Sequence, residues 1–111
     1  MSKEDILPSG RLREASELTG KAWQIFRDAA RDCGPLDRAT IELIMIAGFA
    51  TGGHQEPFKN HVRRALQANV SKGTLQQVVI ATLGATAVLP NVANALRWID
   101  EVEAGLLKGH S

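Results

Sequence analysis

The residues of this chain whose types suit proton transfer or ion binding are few and close together. Glu42 stands in the apolar run "TIELIMIAGF", and His54, Glu56 and His61 stand in "GGHQEPFKNH", residues 52–61. A carboxylate among Ile41, Leu43, Ile44, Met45 and Ile46 has little access to water if its helix is buried. Such a group either takes up a proton or finds a cationic or hydrogen-bonding partner. Arg38 lies one helical turn before Glu42, which would make an ordinary surface pair. His61 lies on the next predicted helix, whose inner side is marked by Val62, Ala65 and Leu66. A carboxylate bonded to one imidazole nitrogen fixes the tautomer and raises the basicity of the other nitrogen. That is the arrangement of an acid–base histidine. The alternative for His61 is a core histidine bonded to a backbone carbonyl.

The remaining polar groups are less specific. With Pro57 in the first helical turn, Glu56 sits where it complements the helix dipole and His54 falls in the loop before it. A metal site built from His54, Glu56 and His61 lacks HExxH or CxxC spacing, and no metal is expected. The only cysteine, Cys33, lies at a helix end beside Gly34. That position disfavours a thiolate, although Arg31 and Arg38 are near in sequence. Lys59, Arg63, Arg64 and Arg97 read as solvated helix faces, with one of them available to an anionic substrate. Trp23 and Trp98 read as core. The chain has no phosphate-binding glycine loop and no GxSxG, and no nucleophile is visibly paired with a base.

The elements that must position Glu42 and His61 are helical. Tyrosine is absent, alanine and leucine dominate, and no alternating pattern is long enough for a strand. After a polar leader over residues 1–10, one amphipathic helix is predicted over Arg11–Asp32, with Gly20 a weak point that would divide it. "CGPLD" ends it. Asp37 is an N-cap for "RATIELIMIAGFA", which Gly52 and Gly53 close. The next helix runs from about Glu56 to Ala68. Asn69 suits the left-handed angles of a helix end, and Ser71 or Thr74 suits the next N-cap. "LQQVVIATLGATAVL" is predicted as a helix stopped by Pro90, followed by "NVANALRWIDEVEAGLL". The fold class is therefore all-α, a bundle of five to six helices in a single domain.

Composition narrows the function classes. The 111 residues fit one domain, and 44% hydrophobic and 23% charged residues are ordinary for a globular protein. A net charge of +1 offers no electrostatic grip on nucleic acid or an anionic membrane. No segment reads as a signal peptide or a membrane span, and a lone cysteine forms no intrachain disulfide. A cytoplasmic enzyme or binding protein is expected. Two helices, "IELIMIAGFA" and "VVIATLGATAVL", are apolar nearly all round, and so small a domain cannot enclose both. A helical face buried between subunits is therefore expected, with Ala81, Gly84 and Ala85 allowing close approach.

With these residues in view, the chain resembles the carboxymuconolactone decarboxylase family, a superfamily that also contains the AhpD-type alkylhydroperoxidases. The resemblance runs from about Leu36 to Val102. It is carried by "LDRATIELIMIAGFATGG", then "HVRRALQANVSKGTLQQVVIAT", then "LPNVANALRWIDEV". The peroxidase branch is similar in a pattern of Glu, eleven residues, Cys, two, Cys, three, His. Laid on this chain, the glutamate falls on Glu42 and the histidine on His61, while the two cysteine positions fall on His54 and Pro57. The dithiol needed for that branch's redox chemistry is missing. The decarboxylase branch instead implies a cofactor-free reaction on a small carboxylated lactone. There His61 would be the proton donor, Glu42 its orienting partner and His54 a second acid or substrate ligand. A further glutamate common one turn before the histidine in that branch is replaced by Pro57. The resemblance also implies an AhpD-like oligomer, a trimer or hexamer. Two other readings stay open: a hydroperoxidase-type redox protein using Cys33, and a non-catalytic ligand-binding oligomer of the same fold.

Overall fold

A computed structural model describes residues 8–109, and within them every regular element is helical. The all-α expectation holds. The chain gathers into two compact units, one up to Leu36 and one from Asp37 onward.

The first unit is a helical pair, α1 (Pro8–Ala15) and α2 (Glu17–Asp32). Pro8–Gly10, read from sequence as the end of a polar leader, are helical, and residues 1–7 lie outside the described residues. The predicted break at Gly20 is corrected: the chain breaks at Ser16. Ser16 is extended, and its hydroxyl accepts the N–H of Thr19 at 3.2 Å, capping α2. Gly20 stays helical for a different reason. It is buried, and a Cβ there would lie 2.7 Å from the Cα of Arg13, so glycine is what lets α1 lie against α2. Trp23, expected in the core, is 44% exposed and stacks on Phe26.

The second unit holds α3 (Arg38–Gly52), α4 (Gln55–Gln67), α5 (Lys72–Ala81), a single 3-10 turn (Thr82–Gly84) and α6 (Leu89–Gly109). Its punctuation follows the sequence closely. Asp37 caps α3 by accepting the Thr40 N–H at 2.8 Å, and Gly53 closes α3 in the left-handed region. Asn69 is also left-handed, and Ser71 rather than Thr74 caps α5. One expectation fails. The helix predicted to continue to Pro90 ends at Ala81. The Thr82 hydroxyl donates to the Val79 carbonyl at 2.6 Å, and the Thr82 carbonyl collects the N–H groups of Ala85, Thr86 and Ala87. Those bonds tighten the chain into a 3-10 turn instead of extending the helix. Pro90 does not stop α5. It occupies the first turn of α6, where its missing N–H is not needed.

The core of this unit joins Ile46 and Ala50 of α3, Phe58, Val62 and Ala65 of α4, Leu75 and Val79 of α5, and Val92, Ala95, Trp98, Ile99 and Val102 of α6. Phe58 meets Trp98 with ring centroids 5.7 Å apart. Polar clamps fix the helices around that core. Asn91 donates to the Thr51 carbonyl at 2.9 Å and ties the start of α6 to the end of α3. Lys59 bonds Glu101 at 2.7 Å, joining α4 to α6, and Lys72 bonds Asp100 at 2.7 Å and Glu103 at 3.2 Å, joining α5 to α6. These contacts hold the Glu101 carboxyl below its ordinary range, through the Lys59 hydrogen bond, and push the Lys72 ammonium up, through its bonds to Asp100 and Glu103. Ile44, Ile80, Leu83, Val88 and Leu89 stay exposed.

Candidate functional site

The site sits between α3 and α4, which the Gly52–Gly53 turn folds back on each other. Glu42 lies in the second turn of α3, with Met45 and Phe49 following it on the same helical side at spacings of three and seven. His61 lies midway along α4, on the side that buries Phe58, Val62 and Ala65. The structure brings the two together: Glu42 Oε1 is 2.5 Å from His61 Nδ1. The His61 side chain is 9% exposed and that of Glu42 24%. This bond spans nineteen positions of sequence and joins two helices, unlike the local pair with Arg38 that the spacing also allowed.

Its chemical meaning follows from donor and acceptor capacity. A carboxylate accepts only, so with Glu42 ionised the proton of a neutral His61 lies on Nδ1 and the lone pair on Nε2. Phe49 covers one side of the imidazole, with ring centroids 5.1 Å apart and a tilt of 38°. A low-dielectric face beside this hydrogen bond strengthens it relative to water. Arg64, one turn after His61, brings its Nη2 to 3.1 Å from Nε2 and 3.3 Å from Nδ1. The rest of the Arg64 side chain is exposed.

His54 is placed differently. It is the exposed N-cap residue of α4 and makes no capping bond with its side chain. Its ring lies edge-on to Phe49 at 6.4 Å between centroids, and a Cβ on Gly52 would meet its Cδ2 at 2.5 Å. Gly52 thus leaves the room in which this imidazole lies. Phe49 makes a ring contact with both His54 and His61, so the two histidines share a wall. Glu56 is exposed on the first turn of α4. Among the described residues no three His, Cys, Asp or Glu side chains gather as a metal site would require. Cys33 is exposed at the end of α2, its thiol 3.5 Å from the Ala30 carbonyl.

Two members of the site escaped the sequence reading. Phe49 counted only as part of an apolar run, although its spacing of seven from Glu42 places it two turns along the same face. Arg64 was one of four cations read as solvated faces with one available to an anionic substrate, and its contact with the ring of His61, at the three-residue spacing where helical side chains meet, was not singled out. No helix of the described residues is long and apolar enough to cross a membrane.

In comparison with known families, the Carboxymuconolactone decarboxylase family model fits residues 17–101. Neither the curated proteins nor the solved structures include a match to this chain.

Proposed function

The chain belongs to the carboxymuconolactone decarboxylase family, and from that premise we propose that it is a cofactor-free enzyme of proton transfer and decarboxylation on a small carboxylated or lactone-like molecule. The observation that carries the reading is the hydrogen bond between Glu42 and the buried His61, which leaves Nε2 as the working nitrogen. In the acid form of the site an imidazolium faces the Glu42 carboxylate. The bond between the substrate's carboxylate and its carbon breaks, carbon dioxide leaves, and the electron pair stays on carbon, delocalised into the unsaturated ring. Nε2–H then protonates that carbon, and His61 returns to its neutral state with the proton on Nδ1. Water restores the second proton. Glu42 holds the ring's orientation and stabilises its charge, and is a positioning residue. His54 is proposed as a second polar group at the rim of the same wall.

Purified His61→Gln protein tests the reading against a panel of carboxylated lactones and β-keto acids. Loss of a positioned acid is expected to lower turnover of a responsive substrate by about 10²–10⁴-fold. A variant that keeps its helical content and its wild-type rate ends the proposal. Self-association to a trimer or hexamer is part of the same reading. The support for it is the exposed apolar residues Ile44, Ile80 and Leu83.

A further inference from the structure

Arg64 meets the imidazole ring of His61, and its geometry there is unusual. A donor lying along the outward lone pair of one ring nitrogen is far from the other nitrogen. Here Nη2 is nearly equidistant from both, at 3.1 and 3.3 Å. The guanidinium therefore lies against the face of the ring, crowding Nε2 without a bond along its in-plane lone pair. The Arg64 charge beside the ring thus disfavours a second proton on it, and the nitrogen that the proposed chemistry needs is crowded.

Arg64 also has somewhere else to go. It is in the last turn of α4, exposed apart from this contact, and a bent bond to a neutral nitrogen is weak beside a two-pronged bond to a carboxylate. Neighbouring Arg63 points to a different partner, Asn60 Oδ1, at 3.1 Å. We propose that Arg64 is an anion latch: it lies over Nε2 of His61 in the free protein and leaves it to bind the carboxylate of an entering ligand. That movement uncovers Nε2 beside the bound ligand. It also replaces a cation at the ring with an anion–cation pair, so His61 takes up its second proton when an acidic ligand is in place. Glu42 approaches the same ring from α3 and remains on Nδ1 throughout. The latch selects carboxylate-bearing ligands over neutral ones of the same shape. It rests on the proton-transfer reading only for the use made of Nε2, because anion binding and uncovering are measurable without turnover.

Two measurements on the full chain test it. In the first, carbethoxylation by diethyl pyrocarbonate is followed separately at His61 and at exposed His54 by peptide mapping, without added anion. Arg64→Gln should speed reaction at His61 several-fold relative to His54, and Arg63→Gln should leave the ratio unchanged. Equal ratios in wild type and Arg64→Gln overturn the latch. In the second, the imidazole ¹⁵N resonances are followed while propionate is titrated in at constant ionic strength. Wild type should show a saturable shift of Nε2 toward its protonated position, with Nδ1 little changed. Arg64→Gln should weaken that response by about tenfold or more, the worth of one charge-assisted hydrogen bond. No saturable shift in wild type, or the same affinity in Arg64→Gln, overturns the proposal. Loss of turnover in His61→Gln together with no anion response would remove the latch and keep the acid. An anion response with no loss of turnover would do the reverse.

Discussion

The helices α2 and α4 are alike in sidedness and opposite in outcome. Each segregates its apolar residues to one side about as strongly as the other. In α4 that side is closed: Phe58 and Val62 are fully buried and His61 nearly so. In α2 the equivalent residues stay open, with Leu18 79% and Phe26 64% exposed. Sidedness in a sequence therefore specifies a helix and a face, but not what covers the face. It also separates the two parts of the chain by role. The α3–α6 unit contains its own core and positions the candidate acid, whereas the α1–α2 pair presents apolar surface.

The largest expected effect probes this contrast directly. Phe58→Ala empties a fully buried site against Trp98 and should cost about 3–5 kcal/mol of stability in urea unfolding. Phe26→Ala on the open face should cost within about 0.5 kcal/mol, as exposed substitutions do. A comparable loss at Phe26 breaks the comparison. If that loss also grows as protein concentration rises, the α2 face is covered by another copy of the chain.

Two helix-interior glycines sharpen the contrast on a smaller scale. Gly20→Ala would place a methyl group 2.7 Å from the Arg13 Cα, forcing α1 away from α2. A destabilisation of about 1–3 kcal/mol is expected, with α1 becoming the first site of limited proteolysis. Gly48, in α3, has no neighbouring atom within 4 Å of an added Cβ. Gly48→Ala should therefore stabilise the protein by about 0.5–1 kcal/mol through helix propensity alone. Two glycines at similar depth in their helices thus differ in sign, because one is a contact and the other only a flexible link.

These cases indicate what the sequence made legible. Local chemistry was readable: the Asp37 cap, the Gly53 and Asn69 helix ends and the place of Pro57 all follow from backbone preferences of single residues. Glu42 and His61 were also readable as a pair, because a carboxylate in an apolar run needs a partner and the short turn limits the choice. What the sequence hid was decided by three-dimensional neighbours. Gly20 looks like a breaker until Arg13 lies on it. Pro90 looks like a stop until Thr82 has already ended the helix by recruiting its own backbone bonds. Arg64 looks like any solvated cation until the ring of His61 is beneath it. In each case the deciding partner lies outside the helical turn that a local pattern inspects, or has a side-chain direction that spacing alone does not give.

The smallest expected effect separates the two units by acid. Asp37 opens α3, and its carboxylate accepts the Thr40 N–H at 2.8 Å. The side-chain and backbone bonds to Thr40 hold its carboxyl below the ordinary aspartate value. The unfolded chain therefore binds this proton more readily than the folded one. The capping contribution is fully present above the unfolded value, near about 3.9, and is lost as the pH falls through the lower folded value. Ser16 performs the same task for α2 with a hydroxyl that does not titrate in this range. Acid should thus loosen the start of α3 while leaving the start of α2 intact, and amide exchange near Thr40 and Thr19 reports the two separately. Asp37→Ser should abolish the difference. Wild type and Asp37→Ser are then expected to differ in stability above the unfolded aspartate value of about 3.9 and to converge as the pH falls through the lower folded value. Equal acid sensitivity at both caps would mean that acid acts on each unit through its other carboxylates, and that the Asp37 cap does not set the start of α3.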